Sequence, residues 1–264
     1  MSQKTKPLPL KVTFLGTGTS QGVPMIACGC RVCTSPDSHD KRLRSSILIQ
    51  YGELNVVVDT TPDFRYQMLR QQVKHLDAVL VTHHHKDHIA GMDDVRAFNY
   101  FQKGPVDIYA TVATQEHIIR EFPYAFGPMR YPGVPQIDLK TIDGEAFQIG
   151  GLRIQPVEVL HYKLPVTGFR IGEFTYITDA NYISDEEKEK IAGSRILVVN
   201  ALRFKEHISH FTLPQALALA DELGVERAYF THIGHQMGRH QEVSATLPPG
   251  RFLAYDGLEL EVAC

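Results

Sequence analysis

The chain has 264 residues, 43% of them hydrophobic, with 27 lysines and arginines against 30 aspartates and glutamates. That is ample for one sizeable core, and a net charge of −3 gives no long-range attraction to a polyanion. No apolar run is long enough to span a bilayer and no window resembles a secretory leader. The reading is therefore a cytoplasmic protein acting on a small molecule, with neither nucleic acid nor membrane as partner.

The polar start runs straight into KVTFLG (11–16), the first predicted strand. SILIQY (46–51) and LNVVVD (54–59) follow, joined by a Gly-Glu turn. Residues 63–73 read as a helix opened by Thr61 or Pro62, 77–82 as a short buried strand, and 88–102 as a helix. A strand over 106–110 and a helix over 112–121 close the first half. Residues 122–136, FPYAFGPMRYPGVPQ, show no clear period and read as a loop, placed either to cap a site or to pack on the body. Its apolar content suggests a homodimer. The second half resumes with strands near 152–159, 167–172, 174–178 and 195–200, a helix over 212–223 and a strand over 227–231. FLAY (252–255) and LELEV (258–262) read as a final hairpin. Strand-rich halves with helices between them predict one α/β domain over residues 1–264, an αββα four-layer sandwich.

The 13 histidines are clustered, and the sharpest cluster is THHHKDHI, Thr82 to Ile89, between a predicted strand and a predicted helix. Alternation in an extended turn directs His83 and His85 to one side, where both can bind one metal. Asp87 and His88 enter the helix and can face a second. Neutral imidazole and carboxylate suit Zn, Mn or Fe. Three of the four cysteines, Cys28, Cys30 and Cys33, crowd into a loop at about 26–36 with C-x-C-x-x-C spacing. In a cytosolic protein that spacing reads as metal binding, and three thiolates need a fourth ligand to close a tetrahedral zinc site. Cys264 has no evident partner and reads as a free thiol.

The histidine motif, together with FLGTGTSQGVP (14–24) and VVVDTTPDF (56–64), resembles the metallo-β-lactamase superfamily, and within it the PhnP-type cyclic phosphodiesterases. The resemblance runs from about Val12 to about Tyr255. It implies one metal on His83, His85 and His161, another on Asp87, His88 and His232, and Asp179 bridging them. Two divalent metals, Mn or Zn, would activate a water held between them and clamp the oxygens of a phosphoryl or acyl centre. It also implies that His235 completes a structural zinc site with the three cysteines, and that His210 serves as a catalytic proton donor beside Asp87, which orients the water.

Several residues read more weakly. Asp59 either accepts a hydrogen bond from a metal-bound histidine or stabilises a turn. His84 alternates away from its neighbours and reads as structural, and His207 as peripheral. Lys41, Arg42 and Arg44 read as a solvated face, with phosphate contact as the alternative. Tyr162 and Lys163 follow His161 and are candidates for the pocket lining. GTGTSQG lacks the Lys-Ser/Thr of a nucleotide P-loop and is assigned no nucleotide. The leading function is a dinuclear metal-dependent hydrolase of small or cyclic phosphodiesters, favoured over RNA because no basic extension or arm insertion is evident. Thioester or lactone hydrolysis on the same fold is one alternative. A non-catalytic cofactor carrier resembling PqqB is the other.

Overall fold

The computed structural model describes residues 9–127, 131 and 133–262. Two seven-stranded sheets pack face to face. The first is built from β1 (Leu10–Gly16), β2 (Ser46–Tyr51), β3 (Leu54–Val58), β4 (Ala78–Leu80), β5 (Val106–Ala110) and β6 (Ile137–Thr141). The second contains β7 (Phe147–Ile149), β8 (Leu152–His161), β9 (Leu164–Ile171), β10 (Phe174–Tyr176), β11 (Ile196–Asn200), β12 (Arg227–Thr231) and β13 (Arg251–Leu253). The last strand, β14 (Glu259–Val262), returns to the first sheet beside β1. In each sheet the antiparallel strands lie toward one edge and the parallel ones toward the other.

Three apolar layers hold the stack together. Val12, Phe14, Ile47 and Val58 meet Ile154, Phe169, Phe174 and Val198 between the sheets. Outside the first sheet lie α1 (Phe64–Arg70), α2 (Lys86–Ile89), α3 (Arg96–Gln102), α4 (Val112–Glu121) and α5 (Pro123–Phe126); Phe64, Met68, Phe98 and Ile118 pack on Val57, Val79 and Ile108. Outside the second lie α6 (Asp185–Ile191), α7 (Leu213–Glu222) and α8 (His240–Ser244), with Leu213, Ala216 and Ala220 buried against Val199 and Phe230. The expected four-layer αββα sandwich is what forms.

The helix expected over 88–102 is instead three short pieces, α2, a single 3-10 turn at Met92–Val95, and α3. The reason is steric. Gly91 sits so close to the loop after β3 that an added Cβ would lie 2.1 Å from the Thr61 carbonyl oxygen, and the chain must turn there. The expected C-terminal hairpin is also corrected. β13 pairs in parallel with β12, whereas β14 pairs antiparallel with β1, so the chain changes sheets at Asp256 and Gly257. Gly257, at φ 91°, donates its N–H to the Phe14 carbonyl, and the Asp256 carboxylate accepts from Thr17 and the Leu43 N–H. Within 122–136 the structure adds α5 to the expected loop; residues 128–130 and 132 lie outside the described residues, as does Cys264. Periodicity missed β6, β7, α6 and α8, each short.

Gly91→Ala should lower stability by about 2 kcal/mol or more, because backbone rather than a flexible side chain blocks the new methyl. Urea unfolding checks this, and an unchanged midpoint would mean the loop yields freely.

Candidate metal centre

Most of the expected ligands stand at or just past a strand end. Asp59 follows β3, His83 and His85 lie in the turn after β4 with Asp87 and His88 on α2, His161 ends β8, Asp179 follows β10 and His232 follows β12. His210 lies on the stretch between β11 and α7. Strand ends free side chains from the ladder and aim them at the cleft between the sheets. Three of these residues are forced into left-handed backbone: Asp59 at φ 66°, Asp179 at 50° and His232 at 54°. For non-glycine residues such backbone costs about 1 kcal/mol or more each and is concentrated at functional sites.

Asp179 is the hub. Its Oδ1 lies 2.9 Å from His210 Nε2 and 3.1 Å from His232 Nε2; its Oδ2 lies 3.1 Å from His88 Nε2 and accepts from the Thr178 hydroxyl at 2.8 Å. Three overlapping donor groups result: His83, His88 and Asp179; Asp87, His88 and His232; and His161, Asp179 and His210. His85 joins through His83, their Nδ1 and Nε2 atoms 3.0 Å apart. All seven expected ligands and His210 are thus brought into one cluster. Most are buried, with His85 at the mouth.

The donor geometry fits metal binding. His88 Nε2 is fully buried and lies 3.2 Å from Asp87 Oδ2 and 3.1 Å from Asp179 Oδ2, yet is aligned for a hydrogen bond with neither. Donors gathered around a shared centre look like this, because two ligands about 2.0–2.1 Å from one ion stand roughly 3.3 Å apart. Charges agree. Burial pushes the His83 pKa well below its usual value, with the His88 charge adding to the effect, and takes His232 down to about 4. Burial also lowers His85 and His161, leaving these rings neutral and able to ligate. Burial opposes ionisation of Asp179, but His232 and His88 outweigh it and hold the carboxyl well below the usual range; Asp87 is held low by His88.

The supporting contacts answer what the sequence left open. Asp59 Oδ2 lies 2.7 Å from His88 Nδ1, and both its oxygens accept from Thr82, so the metal-orienting reading holds geometrically. Burial raises the Asp59 carboxyl, while the carboxylates of Asp87, Asp59 and Asp179 raise the His88 ring against its own burial. His161 Nδ1 is fixed by the Ser209 carbonyl at 2.7 Å. His207 Nδ1 lies 3.1 Å from His210 Nδ1. His84 stacks on His117, ring centroids 3.6 Å apart, outside the donor cluster. Two residues escaped notice. Thr19 Oγ1 is 3.3 Å from His232 Nε2, and buried Asn200 clamps the Ala180 backbone through two hydrogen bonds, holding Asp179 in place. A polar residue ending the apolar run RILVVN was the available signal for Asn200.

Residues 54–233 match the family model of the beta-lactamase superfamily domain. A crystal structure described as a new diphosphatase from the PhnP family superposes with TM-score 0.91 at 40% identity, covering 97% of this chain and 98% of that one. The chain belongs to the metallo-β-lactamase superfamily and is PhnP-like. Zinc-bound PqqB from Methylobacterium extorquens has the same fold, with TM-score 0.79 at 20% identity over 96% of this chain and all of that one. An octanoyltransferase of Porphyromonas gingivalis is 39% identical over 95% of this chain, but the chain spans only 51% of that protein's length. The metallo-β-lactamase fold implies bound divalent metal, and the cluster around Asp179 supplies suitable donors.

The second cluster of this PhnP-like chain is separate. Cys28 Sγ and Cys30 Sγ each lie 3.3 Å from His235 Nδ1, and the donor atoms of Cys28, Cys30, Cys33 and His235 all fall within 4.8 Å of one another. Among the described residues no disulfide joins Cys28, Cys30 or Cys33. The Cys33 N–H and His235 bring the Cys30 thiol down to about 6, so it is a thiolate at neutral pH, whereas burial pushes Cys33 up to about 11. The basic run beside this loop is corrected. Arg42 is buried, donating to Thr17 Oγ1 at 2.8 Å and to the Ala254 carbonyl; Arg44 pairs with Asp63 at 3.0 Å; Lys41 donates to the Cys33 carbonyl. These side chains brace loops and form neither a solvated face nor a phosphate site. Tyr162 and Lys163 are exposed beyond His161. No helix among the described residues is long and apolar enough to cross a membrane.

Asp59→Asn should weaken metal binding about 10- to 100-fold by unseating His88, read by competition with a chromogenic chelator. Unchanged affinity would remove Asp59 from the site's support.

Proposed function

We propose that the protein is a dinuclear metal hydrolase of small phosphate esters, cleaving a P–O bond in a linear or cyclic phosphodiester or a substituted diphosphate. The observation that carries this reading is the complete donor set around Asp179 with His210 hydrogen-bonded into it, in a chain 40% identical across its length to a PhnP-family diphosphatase. His83, His85 and His161 would hold one divalent metal, Zn or Mn, and Asp87, His88 and His232 the other, with Asp179 between them. When bound, the metals supply Lewis-acid activation of water and neutralise charge on the phosphoryl oxygens.

The chain's own residues do the rest. Asp87, held ionised by His88, accepts a hydrogen bond from the attacking water and orients it. His210 presents Nε2 toward Asp179 while Nδ1 is held by Ser209 Oγ and His207, so its ring is fixed where it can protonate a leaving oxygen. The buried walls exclude bulk water and strengthen each of these contacts. Cys28, Cys30, Cys33 and His235 would hold a third, structural zinc. Closed four-donor sites of this kind stabilise folding.

Acyl hydrolysis is the second reading, favoured by the Porphyromonas gingivalis relative, whose name concerns acyl transfer. About half of that protein lies outside the match, and the transfer activity can reside there. Among the described residues no cysteine is grouped with the donors at Asp179.

Metal-reconstituted protein should hydrolyse an activated phosphodiester and not the matching monoester. Asp87→Ala should abolish turnover, and His210→Ala should lower kcat about 100-fold or more with little change in metal content. Diester turnover that survives Asp87→Ala, or thioester turnover in its place, would overturn the proposal. Separately, Cys30→Ser should remove one zinc by elemental analysis and lower the melting temperature. An unchanged metal count would rule out the structural zinc.

A further inference from the structure

Cys30 to Cys33 make a single helical turn, closed by the Thr34 N–H donating to the Cys30 carbonyl at 3.0 Å. Residues three apart on such a turn share a face, so the first and last thiols of this C-x-x-C stretch are brought together. The backbone serves both sulfurs. The Cys33 N–H donates to Cys30 Sγ at 3.5 Å and the Met25 N–H to Cys33 Sγ at 3.4 Å.

The two thiols differ in access. Cys33 is 5% exposed and packs with Val23 and Val32, whereas Cys30 is half-buried. A cavity of about 550 Å³ opens onto Cys30, between the cysteine loop and the segment that runs from His235 into α8. Phe204, Met237 and Val243 supply apolar wall. Among the described residues, neither Cys28 nor Cys33 lines it. Arg31 and Glu242 stand at its edge, paired with each other and each more than half exposed. The volume is that of a small-molecule site. One charge of each sign beside an apolar wall suits a zwitterion, with its carboxylate on Arg31 and its ammonium on Glu242.

We propose that this cavity admits a low-molecular-weight disulfide of an amino acid or short peptide, which oxidises Cys30 and Cys33 to an intramolecular disulfide. The thiolate is at once the metal ligand and the nucleophile, and exchange runs through a mixed disulfide. The Cys30 thiolate attacks one sulfur of the small disulfide, forms the mixed disulfide and expels one small thiolate. The Cys33 thiolate then attacks Cys30 Sγ, closes the C-x-x-C disulfide and expels the second. Two protein thiolates are oxidised and one small disulfide is reduced, so the electrons balance. Access sets the order, since the cavity exposes Cys30 and the turn keeps Cys33 behind it. Cys28 and His235 are then the donors left in a site that needs four to stay closed, and zinc is released. Only this last consequence rests on the structural-zinc reading.

The metal-loaded full chain, treated with oxidised glutathione, tests this by peptide mapping and by zinc release to a chromogenic chelator. The wild type should form a Cys30–Cys33 disulfide and release one zinc per chain, and dithiothreitol with added zinc should reverse both. Cys33→Ser should stop with glutathione on Cys30. Because that variant removes a donor and can misfold, Thr246→Trp provides a second route. Thr246 lines the cavity, is exposed and is no donor. Filling the cavity there should slow oxidation by oxidised glutathione about tenfold while leaving the rate with hydrogen peroxide unchanged, because peroxide is small enough to pass. Glutathione found first on Cys28, a disulfide that includes Cys28, or a Thr246→Trp rate equal to wild type overturns the proposal. So does the absence of any oxidation in protein shown to hold its zinc. Protein that lacks zinc from the outset yet forms the Cys30–Cys33 disulfide supports the proposal and removes the zinc reading instead.

Discussion

A fully buried, ionised carboxylate at Asp179 is the constraint from which the rest of the site follows. Burial alone would protonate it, and among the described residues no lysine or arginine is bonded to it; imidazoles from three separate segments hold it charged. Asp87 is held ionised in the same cluster, while His88 is the ring driven toward the charged form. Two carboxylates against one imidazolium leave the cluster short of positive charge in a region of low dielectric. Such an imbalance is costly unless cations enter. Divalent metal resolves it, and ligation displaces the His88 proton in doing so.

That electrostatic demand explains the scaffold around it. Asp179 must reach partners on both sheets, so β10 ends at Tyr176, three positions before it, and the backbone turns left-handed at Asp179. Asn200 caps the next peptide through paired hydrogen bonds, so the turn is fixed by a buried polar contact rather than by glycine. Asp59 and His232 repeat the pattern at two other strand ends. Side chains that must converge from different sheets cannot all leave regular strands at favourable angles. Part of the stability of the packed layers is spent at these three turns.

The fold was largely legible because long segments with a clear period dominate it: β1, β2, β8, α4 and α7 stand where alternation or helical spacing put them. Short elements were not, since three residues of Phe147–Ile149 or five of His240–Ser244 contain too little of any period. The error at 88–102 has a different origin. The segment has helical composition, and only the contact of Gly91 with Thr61, thirty positions earlier, breaks it. The strand exchange at Asp256 and Gly257 is equally non-local. For the site, motif spacing located the H-x-H-x-D-H turn, and family resemblance carried the later residues. Thr19 and Asn200 act through contacts with residues more than twenty positions away or through backbone groups, which spacing does not reveal.

The cysteine loop is coupled to the centre through the chain segment that follows β12. His232 enters the donor cluster and His235, three positions on, meets Cys28 and Cys30. Between them Ile233 bonds in both directions with the Thr17–Thr19 stretch, and Thr19 reaches back to His232. On the other flank, buried Arg42 joins the loop to Thr17 and to His240. His232 sits in left-handed backbone, so its position depends on what grips the segment on either side as well as on Asp179 and Thr19. With the thiolate of Cys30 already formed at neutral pH and His235 beside it, a zinc in that cluster would clamp the segment at its far end. The ring of His232 would then be held in the place Asp179 requires, and an ion in the cysteine cluster would serve the Asp179 donor cluster without touching it.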